Sequence, residues 1–167
     1  MYTFKLVTLY DLNMLYIWLN YAHVCEFWDD SKGLTFDQFK EIFKQKLMSK
    51  EVKMYIIYLN CNPIGLIQRY YEKPSEKYEL NEIAMGIDIF IGEIEYCNKG
   101  FGPRIIRNFI KKHVFNHDEI NYCVIDPNIK NTKAIKAFSK VGFRSYKEYT
   151  DKESFLLMKL SRDEFYL

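Results

Sequence analysis

Gly100 and Gly102 stand where a short connector gives way to a basic, apolar-periodic segment, and Asp88 interrupts the most apolar run of the chain shortly before them. Glycines at such a junction let backbone N–H groups converge on an anion, and a helix starting there adds partial positive charge at the same end. The neighbouring charges agree: residues 98–116 carry Lys99, Arg104, Arg107, Lys111 and Lys112 and no acid. A glycine pair alone is a weak signal, since structural turns use it as often. It gains weight from the segments on its C-terminal side, a basic helix, a strand and Asp126-Pro127-x-x-x-Asn131.

Asp88 is the second chemical signal. Alternation over residues 83–91 sets Ile83, Met85, Ile87, Ile89 and Ile91 on one face and Ala84, Gly86, Asp88 and Phe90 on the other. A carboxylate in a largely apolar strand needs a partner or a role. The partner would be a buried Arg or Lys; the role would be that of a general base beside an amine. Residues 71–95 hold seven acids against Lys73 and Lys77, a net of −5, and the basic stretch after them carries +5. Charge runs are usually solvated faces. Two opposite runs meeting at one strand–turn–helix also suit an anionic ligand on one side and a cationic one on the other.

The elements that must position these groups are read from periodicity and punctuation. Residues 2–7 alternate as a strand. Thr8 and Asp11 offer caps for a helix carrying Met14, Leu15, Trp18 and Leu19, and 23–28 is a short apolar-aromatic piece. Residues 29–33 form a turn cluster. Thr35 caps a second helix with Phe36, Phe39, Ile42, Phe43 and Leu47 on one face. Strands at 54–59 and 64–70 flank a turn at 60–63, a polar loop covers 71–81, and the Asp88 strand covers 83–91. A connector over 93–99 leads to a helix over 103–114, with Ile105, Ile106, Phe109 and Ile110 inward. A strand at 122–125, a helix at 132–140 stopped by Gly142, and strands at 144–149 and 154–160 complete the order. The sum is a mixed α/β sheet covered by helices.

The bulk numbers bound the class. A chain of 167 residues, half of them hydrophobic, favours one globular domain spanning 1–167. A net charge of +2 gives no general affinity for nucleic acid. Cys25, Cys61, Cys97 and Cys123 form no C-x-x-C pair and have no histidine at ligand spacing, so reduced thiols and no metal are expected. No apolar run reaches membrane-spanning length and no signal-peptide core opens the chain, so a cytoplasmic protein without a membrane partner is expected.

The motifs resemble the GNAT superfamily of acetyl-CoA-dependent N-acetyltransferases. That family's turn reads Gln/Arg-x-x-Gly-x-Gly/Ala; here it is Cys97-Asn98-Lys99-Gly100-Phe101-Gly102, departing at Cys97. The segment from Ala134 to Phe143 resembles the family's later motif. Within the superfamily, G-I-D-x-F-I-G-E, N-K-G-F-G, D-P-x-x-x-N-x-x-A-I, L-x-x-L-N-M-L-x-x-W-L and H-V-C-E-F-W resemble aminoglycoside 6'-N-acetyltransferases over nearly the whole chain. Siderophore-pathway hydroxylysine acetyltransferases share the H-V-x-x-F-W type of signature.

The resemblance implies a mixed, mostly antiparallel twisted sheet flanked by about four helices. It implies acetyl-CoA as cosubstrate, with the pyrophosphate on the turn formed by Asn98, Lys99, Gly100, Phe101, Gly102, Pro103 and Arg104. Asn131 would touch pantetheine, with Phe90, Ile91, Ala134 and Phe138 also on the cofactor. Asp88 would be the general base, and Glu26, Trp28, Tyr70, Asp88 and Asp126 would bind a small polycationic amine, giving antibiotic inactivation. Asp126 reads equally as a capping or turn residue before Pro127, and aromatics such as Trp28 and Tyr70 equally as core. Where many relatives carry a thiolate-protonating Tyr, this chain has Phe138; water, Tyr146 or Ser139 would substitute. The other readings are acetylation of a different amine, such as a siderophore precursor, and a degenerate CoA-binding sensor. A monomer or a homodimer fits the sequence equally.

Overall fold

The computed structural model describes residues 1–28, 31–77 and 79–167. Of the turn expected at 29–33, Asp29 and Asp30 lie outside the described residues, as does Tyr78 of the polar loop; Gly33 turns at φ +75. The elements run β1 (Tyr2–Leu6), α1 (Leu12–Leu19), α2 (Ala22–Cys25), α3 (Phe36–Met48), β2 (Val52–Leu59), β3 (Asn62–Glu72), β4 (Ala84–Ile91), α4 (Phe101–Phe109), β5 (Tyr122–Ile125), α5 (Thr132–Val141), β6 (Arg144–Thr150), β7 (Ser154–Ser161) and α6 (Arg162–Tyr166). The strands form one sheet in the order β1-β2-β3-β4-β5-β7-β6. The β4–β5 ladder is parallel, and the β1–β2, β5–β7 and β6–β7 ladders are antiparallel. Among the described residues no helix is long and apolar enough to cross a membrane.

The chain divides into two compact units, each described by itself. The first is Met1–Gln68 with Asp88–Lys99. Polar caps open the 3-10 turn Leu9–Asp11 that precedes α1, and α3: the Thr8 N–H and hydroxyl both reach Asp11 Oδ2 at 2.8 Å, and the Thr35 N–H reaches Gln38 Oε1 at 2.9 Å. Leu12, Leu15, Trp18, Leu19, Phe39, Phe43, Met54, Ile56, Leu66 and Phe90 make its core. Ile42, expected inward, is 41% exposed, because one turn of α3 presents only Phe39 and Phe43 fully. The two-residue turn between β2 and β3 sets both Asn60 (φ 49) and Cys61 (φ 71) left-handed, the geometry that joins twisted strands tightly.

The second unit is Arg69–Ile87 with Gly100–Leu167. Ile105, Ile106, Phe109 and Ile110 are all buried, as the spacing predicts. The predicted helix over 103–114 starts earlier and changes type: after Phe109 it widens into a π-helix over Ile110–Val114, where the Phe115 N–H donates to the Ile110 carbonyl at 2.9 Å. Gly142 at φ 117 stops α5. In the β6–β7 ladder the register shifts between Ser145 and Lys147, so Tyr146 is the extra residue of a bulge. The helix α6 was not expected. Its signal was present as Ser161-x-x-Glu164, for the Ser161 hydroxyl bonds the Glu164 carboxylate at 2.9 Å and accepts its N–H at 3.2 Å. With α2 and α6 included there are six α-helices among the described residues rather than about four. All four cysteines are free thiols, with Cys123 buried.

Two predictions arise from this unit. Arg162 donates to the carbonyls of Phe115, His117 and Ile120, where the π-helical segment ends and the chain turns toward β5. Charged donors to carbonyls contribute more than neutral ones. Arg162→Ala is therefore expected to cost about 2–4 kcal/mol in urea unfolding, with Arg162→Lys recovering only part, because an ammonium cannot reproduce the planar fork; an unchanged midpoint would refute this. His113, packed on Phe109 at 4.9 Å, titrates near 4 because burial, then Arg69, Lys112 and His117, disfavour its charged form. A base whose folded pKa is lowered binds fewer protons folded than unfolded. Stability from this site is thus intact above the ordinary histidine range and is lost as pH falls from about 6.5 toward 4. A thermal scan against pH should show that decline, and His113→Gln should flatten it.

Candidate active site

The glycine junction is a left-handed turn that leads straight into a helix. Asn98 (φ 58) and Gly100 (φ 76) are both left-handed, and Gly100 is the N-cap of α4. The first-turn amides of a helix have no intrahelical acceptor. The first-turn N–H groups here are those of Gly100, Phe101 and Gly102, since Pro103 has none and the Arg104 N–H opens the helical ladder on the Gly100 carbonyl. No acid lies in that turn, and Arg104 beside it is exposed. Gly100 is glycine for its backbone conformation. Gly102 is not, and a Cβ there would meet only Ala137 Cβ at 3.8 Å. The protein's own packing does not require glycine at 102; a ligand pressed against the backbone would.

Three further glycines contrast with it. A Cβ at Gly65 would lie 2.2 Å from the Phe90 carbonyl oxygen, one at Gly86 2.3 Å from the Tyr70 ring, and one at Gly92 2.3 Å from the Trp18 indole. These are packing glycines. Tyr70 is therefore half-buried against the β4 backbone at Gly86.

Also in the second unit, Asn131 caps α5: its side-chain oxygen accepts the Ala134 N–H at 3.1 Å. Phe138 is buried and packs edge-on against Phe143 at 5.4 Å. It is a core residue with no proton to give. Asp126 at the end of β5 pairs with Lys77, Nζ to Oδ2 2.8 Å. Burial raises the Glu72 carboxyl, with Lys77 pulling it down and Asp126 pushing it up. The bulged Tyr146 phenol is pushed up to about 12 by burial, then by Glu79 and Asp126. Ser139 is exposed on α5.

In the first unit, Asp88 lies half-buried on β4, and its Oδ2 accepts from Gln68 Nε2 at 2.8 Å. A neutral amide that accepts no proton orients the carboxylate there. Phe90, on the same strand face, is buried against Trp28 (4.9 Å, edge-on) and Trp18 (6.4 Å). Trp18 Nε1 donates to Glu93 at 2.8 Å, and His23 meets the Ile91 carbonyl at 3.1 Å, a structural role. Glu26 is exposed just beyond α2. The structure thus brings Trp28 and Phe90 together and shows Trp28 partly as core. Gln68, Lys77 and Glu72 are the polar partners the sequence reading missed. Their bonds join residues on different strands or loops, and no local pattern marks them.

The chain matches the family described as Acetyltransferase (GNAT) domain over residues 8–151. It is 31% identical over 147 residues to the aminoglycoside N(6')-acetyltransferase type 1 of Klebsiella pneumoniae, covering 84% of this chain and 73% of that one. The crystal structure of aminoglycoside acetyltransferase AAC(6')-Ib in complex with coenzyme A and kanamycin superposes with a TM-score of 0.85 at 28% identity, over 99% of this chain and 98% of that one. An uncharacterized protein from Bacillus halodurans superposes with a TM-score of 0.91 at 25% identity, over 99% of this chain and 86% of that one. The glycine turn at the head of α4, the mostly antiparallel sheet and the match over most of the length converge on one conclusion: this chain belongs to the GNAT acetyltransferase family.

Proposed function

We propose that this protein transfers acetyl from acetyl-CoA to a primary amine of an aminoglycoside, at its 6'-amino group, by direct attack with both substrates bound. The observation that carries the reading is Gly102: a position open at the head of a helix, in a chain whose similarity to aminoglycoside acetyltransferases runs through most of its length. Acetyl-CoA supplies an activated thioester. The first-turn amides, those of Gly100, Phe101 and Gly102, would hold its pyrophosphate, with Asn98, Lys99, Pro103 and Arg104 shaping the turn and adding charge. Asn131, Ala134 and Phe138 would line the pantetheine arm, through backbone and apolar contact rather than through the Asn131 oxygen. Phe90 and Ile91 contribute strand backbone, whose N–H groups would stabilise the developing oxyanion.

Asp88 holds the acceptor ammonium and takes its proton; the freed nitrogen lone pair forms the C–N bond, the C–S bond breaks, and the nitrogen gives its second proton to solvent to become the neutral amide. Glu26, Trp28, Tyr70 and Asp126 would bind the rest of the amine. Tyr146, with its phenol near 12, gives up a proton far less readily than a thiol, whose ordinary value is about 8.5. Solvent therefore protonates the leaving thiolate. A degenerate CoA-binding domain would fit Phe138 but gives no reason for a carboxylate at Asp88 poised by Gln68.

The test is thiol release with aminoglycosides bearing a 6'-amino group, with those bearing a 6'-hydroxyl, and with hydroxylated alkylamines. Turnover confined to the first set supports the reading. Turnover only with the alkylamines transfers it to a siderophore-type substrate, and none with any amine overturns it.

A further inference from the structure

Lys77 and Asp126 form the one ion pair, among the described residues, that joins the acidic loop before β4 to a carboxylate assigned to the amine substrate. Building on the aminoglycoside reading, we propose that Lys77 is an internal stand-in for substrate: its ammonium holds Asp126 in the resting protein, and a second ammonium of a polyamine acceptor displaces it. Asp126 is then the subsite for that second charge, and Lys77 sets how much affinity the subsite yields.

The surroundings fit an exchangeable ammonium. The Lys77 and Asp126 side chains are 35% and 25% exposed, so the pair is sheltered yet reachable from solvent. Lys77 Nζ lies 5.2 Å from the Tyr149 ring centre, an aromatic face that also suits an incoming cation. Lysine swings on four single bonds, so it can leave without moving the backbone. Glu72 senses both members of the pair, and Glu79 is held by Lys147 at 3.0 Å. Without Lys77, Asp126 would face Glu72 with no lysine between them, which explains why the resting protein supplies a cation of its own.

A hollow of about 500 Å³ opens on the same loop, lined by Pro74, Ser75, Glu76, Glu79, Leu80 and Asn81. The Ser75 hydroxyl is buried with no hydrogen-bond partner among the described residues. A buried hydroxyl is rarely left unpaired. A multiply charged acceptor lying in the hollow would offer Glu76 and Glu79 ammonium groups.

The test compares wild type with Lys77→Met on kanamycin and on a monoamine acceptor. A partly exposed pair is worth about 1 kcal/mol or less, which converts to about a fivefold change at most. The expected result is a KM for kanamycin lowered about threefold to fivefold, a KM for the monoamine unmoved, and the effect carried by KM rather than kcat. In parallel, the Lys77 Cε resonance of the wild-type protein should shift on saturation with kanamycin, a readout that needs no variant. An unchanged KM in Lys77→Met, an equal change with the monoamine, or a Lys77 resonance that stays put would overturn the proposal while the acceptor reading stands. A wild type that acetylates no aminoglycoside sinks the acceptor reading itself.

Discussion

Asp88→Asn is expected to lower kcat by about two to four orders of magnitude, the usual worth of a positioned general base, and to leave acetyl-CoA affinity within about twofold. The substitution is close to isosteric. Asparagine keeps an oxygen for Gln68 Nε2, which now donates to Asp88 at 2.8 Å, so the strand and its packing should be undisturbed. The variant loses the ability to take a proton and to balance an ammonium. The acceptor would then arrive protonated and stay so, and an ammonium has no lone pair with which to attack. Single-turnover thiol release separates this from a binding defect: the chemical step slows, while calorimetric binding of acetyl-CoA does not change. Glu26→Gln, at an exposed position, should by contrast act on the acceptor's KM alone. Full turnover in Asp88→Asn would move the base elsewhere or leave deprotonation to solvent.

Much of the second unit's frame was legible because its signals are local. The strand over Tyr122–Ile125 and the helix from Thr132 to the Gly142 stop were readable from a short apolar run, a cap and a left-handed glycine. The inward face of α4 was readable from spacing alone. Side-chain partnerships were not legible in the same way. Gln68 and Asp88 are twenty residues apart, and Lys77 and Asp126 forty-nine. Nothing in the neighbourhood of either residue says which partner tertiary folding will bring. Asn131 was placed correctly at the head of α5, yet its oxygen caps the helix, since local backbone demand competes with any ligand for the same atom. The π-helical turn at Ile110–Val114 was hidden for a related reason. Its apolar spacing is still helical over a short window, and the wider hydrogen-bond ring appears only once Arg162 gathers the carbonyls beyond it.

Gly102→Val is the second large effect: affinity for CoA should fall by about a hundredfold or more with little change in thermal midpoint. The two halves of that statement rest on different distances. For the fold, the added Cβ meets only Ala137 Cβ at 3.8 Å, an ordinary contact, so the helix start tolerates a side chain. For the cofactor, the same Cβ and its methyls would crowd the first-turn amides, which the helix itself leaves without an intrahelical acceptor. Phosphate hydrogen bonds to such amides contribute about 1.5–3 kcal/mol each, so obstructing two of them accounts for the loss. A graded series makes the inference sharper. Gly102→Ala adds one carbon and should cost only a few-fold, while Gly102→Val fills the approach. Gly92→Val, the control of opposite kind, drives a side chain into the Trp18 indole from 2.3 Å and should unfold the protein rather than spare it. A Gly102→Val protein that binds CoA normally would mean that the amides at the head of α4 face no phosphate. The acceptor chemistry built on Asp88 would then have no thioester to act upon.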